Sequence, residues 1–280
     1  MKKPTIAICY DFDMTLSPKN MQEFDFFNDL NTTADEFWDD QAKFIEKNKS
    51  DRMLANMFSM VDKAKQHGII LTKQKFAEYG SKIKLYNGVE TWFDRINEYG
   101  NELGVKIEHY IVSSGIKEMI EGTSISKYFK KIYACSYIYN EHGEPIWPAI
   151  SVNYTNKTQF LYRVNKGCLD ETDDSINEFI DHENRLVPFE NMIYIGDSDT
   201  DIPCMRLVMK SGGKAIGVYQ KNSPKKAYLI ELLAKNKINY IAETDYSKGK
   251  MLEIIVKEII KSDKINFTLK ELSRAQKNNM

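Results

Sequence analysis

Apolar positions along the chain alternate between two spacings. Residues 5–10 form a short, mostly apolar, β-prone run that ends abruptly at Asp11-Phe12-Asp13, the pattern of a strand buried on both faces. From about Asn20 to Lys84 the spacing turns helical. Thr33 and Glu36 fit a capping box, and Phe37, Trp38, Gln41, Phe44 and Ile45 follow as an amphipathic stripe. Leu54, Met57, Phe58 and Val61 repeat at helical intervals, Gly68 suits a C-cap after His67, and Thr72 opens a further short helix. After the Asn87-Gly88 turn, a helix is predicted over 89–103. A strand follows over 110–112, stopping at Ser113-Ser114-Gly115, and a helix starts near Lys117. Residues 132–139 and 145–152 flank Glu141-His142-Gly143-Glu144 as a hairpin, and Asn156-Lys157-Thr158 opens a helix ending near Gly167. The acidic stretch 170–184 reads as an exposed insert. Residues 192–195 form a strand ending in Gly196-Asp197-Ser198-Asp199-Thr200-Asp201. Strands over 214–218 and 240–242 and helices over 225–235 and 248–261 complete the pattern. The Lys-rich tail from Ser262 carries no assigned role.

Strands alternating with helices predict an α/β fold with a Rossmann-like, mainly parallel sheet. A mainly helical block of residues 18–85 is inserted after the first strand, so the expected core comprises 1–17 and 86–280.

Composition narrows the function classes. With 280 residues, 42% apolar and 28% charged, the chain has an ordinary globular balance. A net charge of −1 argues against a nucleic-acid partner, which would favour a basic protein. No apolar run approaches the ~18 residues that span a bilayer, and Asp11 cuts the first apolar run short of a signal-peptide core. Cys9, Cys135, Cys168 and Cys204 form no C-x-x-C pair, which fits buried thiols in a reducing, cytoplasmic setting. His67, His109, His142 and His182 are scattered, so zinc is not expected. Oligomeric state is left open.

The chemistry gathers at predicted strand ends, where ligands of open α/β sheets bind. Asp11 and Asp197, on separate strands, would repel unless a cation lay between them. Oxygen donors without His or Cys favour magnesium. Phosphoryl transfer further needs a nucleophile, an acid/base and positive charge on the phosphoryl oxygens. Asp11 suits the nucleophile and Asp13 the general acid/base. Ser113, Ser114, Gly115 and Lys157 suit phosphate binding.

In this order and setting, the chain resembles the haloacid-dehalogenase-like superfamily, whose members are mostly phosphatases. The resemblance rests on Tyr10-Asp11-Phe12-Asp13-Met14-Thr15-Leu16, on Val112-Ser113-Ser114-Gly115, on Lys157, and on Ile195-Gly196-Asp197-Ser198-Asp199-Thr200-Asp201. It implies that Asp11 is nucleophile and magnesium ligand, and that Asp13 lends its backbone carbonyl to the metal. It also implies that Asp197 binds the metal directly, and Asp201 through water or as a second ligand. Lys166 is a second candidate for the lysine, and Asp199 reads as a loop residue. The helical block resembles the cap of the phosphoserine-phosphatase-like branch, with Glu23 or Asp25 placed to meet a substrate amine. The expected substrate is a small phosphorylated metabolite; phosphoserine is one candidate, with amino-alcohol and sugar phosphates beside it. Asp13 argues against a dehalogenase. A phosphomutase of the same fold and a catalytically silent phosphate-binding scaffold remain as alternatives.

Overall fold

A computed structural model describes residues 3–278. Residues 1, 2, 279 and 280, which fall inside the expected core boundaries, lie outside the described residues. In chain order, β1 (Thr5–Tyr10) is followed by the helices α1 (Phe26–Asp29), α2 (Ala34–Asn48), α3 (Arg52–Gln66), α4 (Lys73–Ser81) and α5 (Val89–Glu102). Next come β2 (Lys106–Ile116), α6 (Lys117–Glu121), β3 (Phe129–Tyr139), β4 (Pro145–Ile150) and α7 (Lys157–Lys166). The chain closes with β5 (Met192–Gly196), α8 (Ile202–Lys210), β6 (Lys214–Tyr219), α9 (Lys225–Ala234), β7 (Tyr240–Glu243) and α10 (Met251–Asn278).

The strands form one sheet in the order β4-β3-β2-β1-β5-β6-β7. Every pairing is parallel except the β3–β4 hairpin. This is the α/β architecture expected from the alternation. β1 lies at the centre and is buried from Ile6 to Tyr10, which is why it reads as an unbroken apolar run. Tyr10 pairs with Ile111 of β2 on one side and with Ile195 of β5 on the other. The ladders that β1 makes with β2 and with β5 therefore end almost level, and Asp11, Ser113 and Asp197 follow within two residues of that line.

The insertion between β1 and β2 follows its local signals. Thr33 and Glu36 close the expected capping box on α2, and Thr72 caps α4. Asp51 caps α3, accepting from the N–H groups of Met53 at 2.9 Å and Leu54 at 3.0 Å. The buried face of α3 differs from the expected stripe. It runs through Met57, Met60 and Ala64 with Ala55, Asn56 and Ser59, whereas Leu54 and Phe58 are exposed. Phe58 instead stacks on Phe44 of α2, with ring centroids 5.0 Å apart.

Two further elements, β2 and the end of α10, depart from the sequence pattern. β2 is eleven residues long and runs through Ser113-Ser114-Gly115 instead of stopping before them. Its polar residues disguised it. Glu108 is buried and neutralised by Lys106 at 2.7 Å and Lys130 at 2.8 Å, with Tyr110 donating at 2.6 Å. His109 is buried between the Tyr10 hydroxyl at 3.0 Å and Asn97 at 3.2 Å, and burial lowers its pKa to about 3. The acidic stretch 170–184 is indeed largely exposed, in short 3-10 turns. It is tethered by Arg163, which donates to the carbonyls of Asp170 at 2.6 Å and Glu171 at 2.9 Å. The polar tail continues as helix, since α10 runs unbroken to Asn278. Among the described residues all four cysteines are free and buried, and no helix is long and apolar enough to cross a membrane.

Asp263 shows what holding α10 against the core costs. Its burial raises its pKa to about 6, only partly offset by Lys214. The folded state thus prefers the protonated form, so the penalty is complete above about pH 6 and absent below about pH 4. Asp263→Asn should therefore be more stable than wild type by about 1–3 kcal/mol at pH 8, at ~1.4 kcal/mol per pKa unit, and the gap should narrow towards pH 4.5. Urea unfolding at both pH values measures it; a gap independent of pH would show that this carboxyl carries no such penalty.

Candidate active site

The carboxyl ends of β1, β2 and β5 converge because of the register just described. The Asp11 N–H donates to the Ile195 carbonyl at 2.9 Å, extending the ladder by one bond. Asp11 leaves β1, Ser113 lies near the end of β2, and Asp197 follows β5 directly. Beyond Asp11 the chain turns back sharply. The N–H groups of Thr15, Leu16 and Ser17 all approach the Phe12 carbonyl. Met14 takes a left-handed φ of 59°, a conformation that costs a side-chain-bearing residue roughly 1–2 kcal/mol. This turn keeps Asp13 beside Asp11.

Lys157, the first residue of α7, is fully buried. Its Nζ lies 3.2 Å from Asp11 Oδ1 and 2.6 Å from Asp201 Oδ1. Despite its burial, these carboxylates raise its pKa, so it stays charged. Lys166 is not in the site; it donates to the carbonyls of Ile176 at 2.6 Å and Glu178 at 2.7 Å. Both oxygens of Asp201 are occupied. Oδ1 accepts from Lys157 and, at 2.7 Å, from the Tyr194 hydroxyl. Oδ2 accepts from the Ser198 N–H at 3.1 Å and hydroxyl at 3.0 Å. Asp201 thus anchors Lys157 and the 197–201 loop, and among the described residues it does not line the cavity beside the site. Gly196 makes this fold-back possible, because a Cβ there would lie 2.6 Å from Asp201 Cγ. Asp199 is exposed at the start of a short 3-10 turn over Asp199–Asp201 and accepts from the Tyr228 hydroxyl.

The charges are unevenly balanced. Burial raises the Asp11 pKa to about 7, with the Asp201 and Asp197 charges adding to it and Lys157 opposing. Burial likewise raises Asp197 to about 6, against the pull of Lys225. Asp13 is pushed well above the usual carboxyl range by burial and by the Asp11 charge, although the Met21 N–H donates to it at 3.0 Å. For Asp201, Lys157, Tyr194 and Ser198 together outweigh burial and hold the pKa low.

One oxygen each of Asp11, Asp197 and Asp201 falls within 4.8 Å of the others. Four carboxylates face two lysines, so with all four ionised the site is two positive charges short. A set of hard oxygen donors with no sulfur or imidazole fits a divalent cation of the magnesium or calcium type.

Beside these groups lies a cavity of about 420 Å³. Asp11, Asp13, Ser113, Ser114, Gly115, Asp197 and Lys225 line one side of it. The Ser113 hydroxyl accepts from the Gly115 N–H at 3.1 Å, which leaves its own proton to donate. A Cβ on Gly115 would lie 2.1 Å from Met21 Cε, so a side chain there would require the buried Met21 to shift. The insertion supplies further lining: Asn20, Gln22, Trp38, Gln41, Arg52, Met53 and Asn56. Neither Glu23 nor Asp25 lines the cavity, and Glu23 is engaged by the Asn20 N–H at 3.3 Å. The expectation that either meets a substrate amine is therefore corrected. Sequence reasoning missed Lys225, which pairs with Asp197. Its signal was the one that marked Lys157, a lysine at the head of a helix after a strand.

Lys157→Met should destabilise the protein by about 3–5 kcal/mol, because Asp11 and Asp201 would be buried without their cation. Chemical denaturation measures the loss; a change below about 1 kcal/mol would mean that the carboxylates do not depend on this lysine.

A family model described as haloacid dehalogenase-like hydrolase matches residues 8–165, more than half of the chain. A protein of Borreliella burgdorferi described as uncharacterized is 27% identical over 279 residues, spanning 88% of this chain and 93% of its own length. A probable phosphoserine phosphatase from Vibrio cholerae superposes with a TM-score of 0.57 at 12% identity, over 94% of this chain and 67% of its own. A phosphoserine phosphatase in a phospho-aspartyl intermediate analogue form gives 0.53 at 16% identity, over 91% and 99%. At such identities the structural likeness speaks for the fold.

Proposed function

The chain belongs to the haloacid dehalogenase-like hydrolases, and we propose that it hydrolyses a small phosphomonoester with magnesium, through an aspartyl-phosphate on Asp11. The observation that carries this reading is the placing of two carboxyls, Asp11 and Asp13, on one cavity beside a buried lysine. Asp11 Oδ1 lies 3.2 Å from Lys157 Nζ, and burial pushes Asp13 well above the usual carboxyl range.

In the first step Asp11 would attack phosphorus as the bond to the leaving alcohol oxygen breaks. Asp13 would give its proton to that oxygen. Ionised, it would then take a proton from the water that attacks the aspartyl-phosphate. Inorganic phosphate leaves, and both carboxyls return to their starting states. The Lys157 ammonium, the Ser113 hydroxyl and the Ser114-Gly115 backbone would meet the phosphoryl oxygens. Asp11, Asp197 and the Asp13 carbonyl would hold magnesium, with Asp201 steadying Lys157 beside them. Bound magnesium supplies positive charge that favours ionised Asp11 and offsets the charge developing on phosphate.

Residues 18–85 would serve as the cap over this chemistry, limiting access to a small phosphorylated metabolite. The buried free thiols support a cytoplasmic setting.

Hydrolysis of an aryl phosphate should require magnesium and vanish in Asp11→Asn. Near-normal turnover by that variant, at unchanged folding, would exclude Asp11 as nucleophile. Asp13→Asn should slow turnover of an alkyl phosphate by about two to four orders of magnitude. An unaltered rate would remove Asp13 from proton transfer.

A further inference from the structure

A second cavity, of about 920 Å³, opens at the amino end of β1, opposite the end that carries Asp11. Six lysines and arginines and two glutamates line it among the described residues. One of the glutamates, Glu190, is already held by His182 at 3.0 Å and Lys270 at 3.1 Å. Lys3, Arg185 and Lys277 line the cavity without an ion pair among the described residues, and Arg185 donates instead to the Ile180 carbonyl at 3.3 Å. Leu186, Pro188 and Phe267, each half-buried, add apolar surface beside these cations.

The acidic insert that borders this groove has the opposite character. Residues 170–184 hold seven carboxylates and no lysine or arginine. The body grips the insert by its main chain, since Arg163 and Lys166 donate to its carbonyls. Its side chains are left largely unanswered. Glu171 meets Lys131 at 2.5 Å, but Asp174, Glu178 and Asp181 are exposed and form no ion pair among the described residues. Phe179, between the last two, is 86% exposed. A lone exposed phenylalanine is ordinary. Here it is flanked by unpaired carboxylates, on a chain that also carries a groove of unpaired cations and apolar surface, and the two surfaces are complementary in charge and in polarity.

The position of the insert decides what covers the groove. A free polyanion would lie beside the insert's own carboxylates and would leave Phe179 in water. Within one chain, the segment that carries Phe179 does not line the groove, and Lys166 and Arg185 hold it by the carbonyls of Ile176, Glu178 and Ile180. A second copy answers both surfaces at once. Insert and groove are neighbours, because His182 and Asn184 of the insert line the groove's edge. A two-fold axis between them lays each insert on the other copy's groove, so every contact is made twice.

We infer that the protein forms a two-fold dimer in which Glu178, Phe179 and Asp181 of each copy seat on the groove lined by Lys3, Arg185, Lys277 and Phe267 of the other. The catalytic cavity, at the other end of β1, stays outside the contact.

Sedimentation velocity tests this at low ionic strength, where surface charges are least screened. Wild type at about 100 μM should be dimeric, as a micromolar Kd requires. Phe179→Ser, at a position exposed in the single chain, should weaken dimerisation by about tenfold or more, the loss of an aromatic anchor. Lys277→Glu and Glu178→Lys should each weaken it by setting like charges against each other at both contacts. An equimolar mixture of those two variants should recover dimer, because the mixed pair has opposite charges at both contacts. Monomeric wild type at that concentration would overturn the inference. So would a dimer indifferent to Phe179→Ser, or a mixture that associates no better than either variant alone.

Discussion

A lysine ammonium with no exposure sits between two buried carboxylates at the centre of the molecule, and the rest of the site is arranged around it. Lys157 reaches Asp11 and Asp201 from the first residue of α7. Burying three charges is tolerable only with short contacts and further hydrogen bonds to the remaining lone pairs, and the surroundings supply them. Tyr194 and Ser198 complete Asp201, and Gly196 leaves the room that Asp201 occupies. α7, which carries the lysine, follows the antiparallel β3–β4 hairpin at one edge of the sheet.

That cluster is stable but electrically unfinished. Lys157 and Lys225 answer Asp11, Asp201 and Asp197 only in part, and burial together with the neighbouring carboxylates makes Asp11 and Asp197 resist ionisation. Burial and the Asp11 charge push Asp13 the same way, and a divalent cation fits the shortfall of positive charge.

The insertion is fastened to this chemistry at its base. The Met21 N–H donates to Asp13, Met21 Sδ accepts from the Ile116 N–H at 3.0 Å, and its methyl fills the space beside Gly115. The cavity lining from the insertion and Asp13 are thus joined through one methionine.

Much of this was legible locally. β1 and β5 read as strands because burial on both faces demands unbroken apolar runs, and the polar residues that end them stood out for the same reason. The Thr33–Glu36 box and the Thr72 cap follow from hydrogen bonds spanning three residues. Asp11, Asp13, Ser113, Lys157 and Asp197 could be picked out because each sits at such a boundary. Other features had no local trace. The length of β2 depends on Lys130 and Asn97 satisfying Glu108 and His109 from other elements. The tail of α10 depends on the surface that buries Asp263. Gln41 looked like one more position in an apolar stripe, and only the fold brought it to the cavity that Asp11 also lines. The sequence by itself determined that β1 and β5 are buried strands and which carboxylates end them, since those features depend on contacts between near neighbours. Tertiary structure alone decided how far β2 runs, which charges meet and which remain short of a partner, because those depend on strand order and packing between residues far apart in the chain.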